Sequence, residues 1–445
     1  MIINKYSRSV ATNMVIANMV GTGIFTSIGF QVMNPPVGIP DPFAIMFIWF
    51  LGGVFALCGA TAYAEVASTF KESGGEYTFL SKIYHPIVGF TSGWVSIVVG
   101  FSAAISALGL ASGDYLMPIM NKVFGSDLPE FTPKLIAIIL ILFVTLIQLR
   151  GVVTSGIFQN IITFIKLLFI LVLIISPFLF LSDTNRSHVD FSPSVTSWST
   201  IFSLPFAGSL VYVMFAYSGW NSSSYIAGNM ENPKKNIPFS LLTGTAIVTL
   251  IYLLLTGVFM YVCTFDELRG KIAIGNIVMS KVFSHELALV FAGLFALALV
   301  SGINAMFIAG PRVAQRMGED YKAFSFLKGQ NIKGAPVNAI LLQTVISISI
   351  ILLFDFGMIL QYIELTLSLF CLLTVIGVFV IRHKKMGDDT TIKTWGYPFT
   401  PIIFIAVTLW MIFYFVHMEP VRLFWTFVTI LFAIIVYFLS SKNSE

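Results

Sequence analysis

The residues Gly21-Thr22-Gly23-Ile24-Phe25 lie in the middle of the chain's first apolar stretch, which runs from about residue 10 to residue 32. A helix of that length crosses a bilayer core of roughly 30 Å. Two glycines and a threonine are poor choices for a helix interior, so the helix is expected to break here. Hydrocarbon offers no partners to freed amides and carbonyls. Irregular backbone survives at membrane depth only where it is buried in protein or lines a cavity. The break is therefore a candidate ligand site, where half-helix ends hold a charged small molecule.

The rest of the chain agrees with a membrane reading. Its 445 residues are 57% hydrophobic and 10% charged, with mean hydropathy +0.90, which is the composition of a polytopic membrane protein. Hydropathy marks about twelve spans, at 10–32, 43–69, 86–117, 134–149, 154–181, 202–229, 238–263, 287–316, 337–354, 357–381, 398–417 and 421–440. Breaker residues such as Ser73-Gly74-Gly75, Asn232-Pro233 and Gly396-Tyr397-Pro398 separate them. The expectation is one all-α membrane domain over residues 1–445 with no separate soluble unit. Lys5 and Arg8 precede a span with no small-residue cleavage site, so no cleavable leader is expected.

Several chemistries find no support. Net charge is +4 and the pI about 8.8, but the basic residues sit in short loops, so nucleic acid is not an expected partner. Cys58, Cys263 and Cys371 form no CxxC pair, and the five histidines show no helical ligand spacing. No metal and no cofactor are expected, and no His/Asp/Glu constellation inside the spans suggests an enzyme. A channel would more naturally show rings of filter residues from several subunits.

An even number of spans puts both termini on one side. Lysine and arginine number 17 on that side and 7 on the other, with Lys166 inside a span. Cytoplasmic loops carry the excess, so both termini are expected in the cytoplasm.

The sixth span is also interrupted, by Ser218-Gly219-Trp220-Asn221-Ser222-Ser223-Ser224. Spans one and six are matching members of two five-span halves, residues 10–181 and 202–381, followed by two accessory helices at 398–440. An odd number of spans per half makes the second half enter the membrane inverted. Paired interruptions in inverted halves point to a midplane transport site, whereas close packing of small residues is the simpler account of a single patch.

These residues resemble a known family. Gly21-Thr22-Gly23-Ile24-Phe25 resembles the first-helix GSGIF motif of the amino acid–polyamine–organocation superfamily. Glu65 through Tyr77 is similar to that family's acidic, glycine-rich turn after the second span. Phe215-Ala216-Tyr217-Ser218-Gly219-Trp220-Asn221, with Glu231 through Pro238, resembles its sixth helix and cytoplasmic exit. The similarity runs through the first ten helices in order and is strongest to bacterial relatives of the L-type amino acid transporters. It implies a LeuT-type five-plus-five inverted repeat with interrupted helices one and six.

The resemblance also implies roles. The N–H groups of Thr22, Gly23 and Ile24 bind a substrate carboxylate, as a helix N-terminus suits an anion. Carbonyls of Val20, Phe215, Ala216 and Ser218 take the substrate ammonium. Phe215 closes as a gate, and Trp220 and Asn221 shape the pocket, with plain packing the alternative for Trp220. Thr22 stands where serine is commoner; either its extra methyl tightens the pocket toward small neutral substrates, or it serves packing alone.

Two charges lie inside spans. Lys166 is about 18 Å along the fifth span at 1.5 Å per residue, too deep to snorkel easily, and a cation there costs roughly 2.5–3.5 kcal/mol on insertion scales. Sodium-coupled proteins of this fold bridge helices one and eight with an ion, and the resembling sodium-independent ones carry a fifth-helix lysine. Lys166 is thus expected to bond carbonyls near Gly21 and the Ser301 region in place of sodium, or to be the coupling group of a proton symporter. Glu364 in the tenth span is either a near-interface carboxylate or a proton-coupling acid.

The expected function is sodium-independent secondary transport of small or neutral L-amino acids by alternating access, through exchange or proton symport. The alternatives are a cationic amino acid or polyamine permease and a channel-like pore. Expected partners are the amino acid, the lipid bilayer and protons. Animal L-type transporters join a glycoprotein through a cysteine after the third helix; residues 118–133 contain none here, so no disulfide-linked heavy subunit is expected. The expected location is a bacterial inner or plasma membrane.

Overall fold

In the computed structural model, residues 5–33, 38–125, 128–182, 186–201, 203–271, 274–354, 356–388, 391–418 and 420–440 are described, with backbone alone at 285, 356–362, 364, 365, 415, 416, 418 and 420–423. Among them the chain is helical throughout. Its one extended pairing is an isolated bridge between Tyr6 and Met230.

The first apolar stretch forms α1 (Arg8–Met19) and α2 (Thr22–Gln31), separated by Val20 and Gly21. α3 (Pro42–Phe70) starts where the Asp41 carboxylate accepts the Ala44 amide at 2.7 Å with Pro42 in the first turn, a capped start that proline favours. After α4 (Glu76–Ile83), the third span comprises α5 (Pro86–Val95), a π-helical stretch (Ser96–Ala103) and α6 (Ala104–Phe124). α7 (Thr132–Leu149) and α8 (Val152–Phe180) follow, then the short α9 (Val195–Ile201).

The sixth span is α10 (Leu204–Tyr217), a turn, and a 3₁₀ stretch (Ser222–Asn229). α11 (Pro233–Val262) returns, α12 (Phe265–Leu268) and α13 (Ile274–Val282) cross the surface, and α14 (His285–Asp320) spans again. α15 (Val337–Leu353), α16 (Phe356–His383), α17 (Phe399–Met418) and α18 (Pro420–Leu439) complete the chain.

Eight helices are long and apolar enough to cross a membrane, and the bent pair formed by α9 and the sixth span makes nine. Among the described residues there are also three shorter apolar helices, at Val337–Leu353, Phe399–Tyr414 and Phe424–Leu439. The broken first span and the third span are the most enclosed, while α7 is mostly uncovered. Leu142, Phe143 and Leu146 on α7, with Phe164, Leu168 and Leu171 on α8, are exposed. A contiguous apolar exterior of this size is the surface that lipid covers. The protein is an integral membrane protein.

Ion pairs sort by side. Asp388 accepts Lys71 and Lys234 at 3.0 and 3.1 Å, Arg316 reaches Glu72 and Glu319, and Arg382 forks onto Glu65. All of these residues lie at the end of the bundle where Tyr6 pairs with Met230 and Tyr437 packs on Phe90 and Tyr321. At the opposite end Lys122 pairs with Glu286, Lys281 with Glu267 and Arg269 with Asp266.

Candidate functional site

The two interruptions meet. Gly23 opens α2 directly against the end of α10: a Cβ on it would lie 2.6 Å from Ala216 Cα. Gly219 adopts φ +92°, and a Cβ there would stand 3.0 Å from the Cβ of Asn18. The first position admits only glycine because another backbone occupies the space. The second also needs a left-handed conformation that side chains disfavour. Each break thus holds a glycine against the other helix.

A cavity of about 130 Å³ lies at this crossing. Thr22 and Gly23 line it from one break, and Phe215, Ala216, Ser218, Trp220 and Asn221 from the other. Val20 and Ile24 are not in its wall. Ser96, Gly100 and Phe101 of the π-helical stretch contribute a third side. Such π segments are frequent at functional sites because they redirect side chains locally, and the hydropathy of 86–117 gives no sign of one.

The polarity follows from the half-helices. Gly21 caps α2 without a side-chain bond, and its own amide turns back to Met19 O at 2.8 Å. The first amides of α2, at Thr22, Gly23 and Ile24, have no acceptor outside the helix among the described residues. They present the positive end of a helix dipole.

The carbonyl ends of α1 and α10 are largely tied within the protein. Lys166, 1% exposed on α8, donates to Val20 O at 2.5 Å and Ala17 O at 3.3 Å. Tyr252 on α11 places its hydroxyl 2.5 Å from Met19 O and 2.7 Å from Ala216 O. A phenol has one proton, so the two carbonyls share it and both helix ends are held by one side chain. The Ser218 amide and hydroxyl donate to Phe215 O at 3.1 and 2.7 Å. Val20, Phe215 and Ala216 thus already have donors, so an incoming ammonium would have to share those carbonyls.

Ser301 on α14 is fully buried, but its hydroxyl donates to Ala298 O of its own helix at 2.7 Å. No bond joins it to Lys166 among the described residues. The Glu364 side chain lies outside the described residues. Trp220 packs edge-on against Tyr63 and Phe404, with ring centroids 4.7 and 5.8 Å away.

Sequence reasoning missed two residues. Tyr252 looks like one more aromatic in an apolar span. Glu76 reads as part of a glycine-rich turn, yet it is 2% exposed and lines the cavity. Tyr63 donates to its Oε1 at 2.6 Å and Asn221 at 2.5 Å.

A family model described as amino acid permease matches residues 7–440, nearly the whole chain. The chain belongs to the amino acid permease family. Curated relatives match along most of its length. The b(0,+)-type amino acid transporter 1 of Mus musculus is 28% identical over 413 residues, covering 92% of this chain and 81% of the relative. The serine/threonine exchanger SteT of Bacillus subtilis (strain 168) is 26% identical over 403 residues, covering 89% and 87%. The cystine/glutamate transporter of Homo sapiens is 28% identical over 414 residues, covering 92% and 79%. These relatives align with the permease along most of its chain, and the substrates in their names differ from one another.

Proposed function

We propose that this permease carries amino acids across the membrane by alternating access, without sodium, as an exchanger or a proton symporter. One observation carries the reading: two interrupted helices cross at a buried cavity, and the free amides of α2 open there. A zwitterionic amino acid is charged at both ends near neutral pH. Its carboxylate pairs with the amides of Thr22, Gly23 and Ile24, and its ammonium lies toward the carbonyl ends, including Ser218. Phe215 is the gate. The halves at 10–181 and 202–381 rock against each other, with 398–440 outside the exchange.

The sodium-independent part rests on Lys166. Its ammonium sits against helix-one carbonyls, which is what a bound cation would do. The Thr22 methyl favours small neutral side chains, and the protein works without a disulfide-linked partner because residues 118–133 hold no cysteine. The lysine and arginine distribution puts both termini in the cytoplasm, and the proposed setting is a bacterial plasma membrane.

The test is uptake of a labelled amino acid panel into liposomes holding the purified protein. Three conditions are compared: an inward sodium gradient, an inward proton gradient, and internal amino acid alone. Uptake driven by protons or by internal amino acid is expected. Stimulation by sodium overturns the Lys166 argument. Failure of one-for-one counterflow, with persistent passive flux, favours a pore.

A further inference from the structure

Three buried polar atoms in the wall of the cavity have no hydrogen-bond partner among the described residues: Asn18 Oδ1, Glu76 Oε2 and Ser222 Oγ. The residues are 8%, 2% and 2% exposed. Buried polar groups in folded proteins are ordinarily paired; of the fourteen such unpaired atoms among the described residues, these three line one cavity. Glu76 is the most informative. Its Oε1 takes the Tyr63 hydroxyl, the Asn221 amide and, at 3.7 Å, the Cys371 thiol, while its Oε2 takes none. Tyr225, also in the wall, lies beside the carboxylate as a further hydroxyl donor to it. Tyr63, Asn221 and Cys371 hold Oε1, and Oε2 has no hydrogen-bond partner among the described residues.

That chemistry differs from the half-helix ends. The amides of α2 present donors, suited to a carboxylate. Asn18 Oδ1 and Glu76 Oε2 are acceptors, and Ser222 Oγ can accept as well. An amino acid seated with its carboxylate at α2 has one further group left to place, its side chain. The geometry points to Asn18, Glu76 and Ser222 as a side-chain subsite that selects substrates whose side chain donates hydrogen bonds, as a hydroxyl or as an ammonium. The inference rests on the amino acid transport reading; a hydroxyl agrees with the small neutral side chains proposed there, and an ammonium would replace that part of it. A site with unpaired polar groups discriminates strongly against an analogue that leaves them unpaired, so Glu76 acts as a specificity determinant.

Liposome uptake with two isosteric pairs tests this, threonine against valine and lysine against 2-aminoheptanoate. The readout is the ratio within each pair. The wild type is expected to favour the donor-bearing member of one pair at least tenfold, and which pair does so distinguishes hydroxyl from ammonium. Glu76→Gln keeps an oxygen for Tyr63 and Asn221 but converts the unpaired acceptor to a donor, so that ratio should fall about tenfold. Ser222→Ala removes one acceptor and should lower it severalfold. It decides the matter if Glu76→Gln does not elute as a folded species. Wild-type ratios near one in both pairs, or ratios unmoved in the folded variants, overturn the subsite. If no amino acid of any kind is taken up, the transport reading itself fails.

Discussion

Replacing Lys166 with methionine is the sharpest perturbation of the site. Methionine keeps the length and most of the volume of the side chain, so the change isolates the charge and its donors. Lys166 Nζ satisfies Val20 O at 2.5 Å and Ala17 O at 3.3 Å. Those carbonyls are stranded because the chain leaves the helix: the Gly21 amide, which would have bonded Ala17 O, turns to Met19 O instead. A cation at this position caps a helix C-terminus and complements its dipole.

Hydrogen bonds to a charged donor contribute about 1.5–3 kcal/mol each. The shorter bond carries more of that than the longer one, so the pair contributes roughly 3–5 kcal/mol to holding the break open. Every 1.4 kcal/mol is tenfold in an equilibrium. If that loss falls on the competent geometry, subsaturating uptake drops by at least about a hundredfold. Liposome uptake over a pH series is the assay, with thermal unfolding in detergent run beside it to separate a displaced break from general collapse. A Lys166→Met protein that transports as the wild type does, with the same pH profile, refutes both the ion-substitution and the proton-coupling versions of the argument.

Other substitutions probe the parts around it. Gly23→Ala drives a methyl to within 2.6 Å of Ala216 Cα; the helix ends must separate, and uptake should be abolished while the protein still elutes as a monodisperse species. Tyr252→Phe removes the one proton shared by Met19 O and Ala216 O, at a cost of about 1–3 kcal/mol for buried acceptors left unpaired, read as a lower unfolding temperature and weaker substrate affinity by thermal shift. Arg382→Met strips the fork from Glu65, which is 1% exposed and is also bonded by Thr394 at 2.7 and 2.6 Å; breaking a buried pair costs about 3–5 kcal/mol, so expression and thermal stability should fall sharply, and Glu65→Gln in the same chain should recover part of the loss.

What could be read from the sequence follows the range over which each constraint acts. The breaks at Gly21–Gly23 and Ser218–Ser222 were legible because glycine and serine runs contradict a membrane helix locally, and the cost of Lys166 in lipid was legible because any intramembrane charge demands a partner. Tyr252 was not legible: its acceptors lie 233 and 36 residues away, and a tyrosine that pins two helix ends has the same sequence signature as one that merely packs. Ser301 shows the converse. Its position relative to Lys166 suggested a bond, but a helical serine has a competing acceptor in the preceding turn of its own helix, and that local bond is the one formed. Glu76 combines both difficulties, because it opens a short helix and so resembles an ordinary N-terminal acid, while Tyr63, Asn221 and Cys371 reach it only once α3, the sixth span and α16 have packed. Residues whose chemistry is set by backbone breakage declare themselves in one dimension. Those whose chemistry is set by convergence of distant helices need the fold, and in this permease the groups proposed to read the side chain, unlike those proposed to read the carboxylate, belong largely to the second kind.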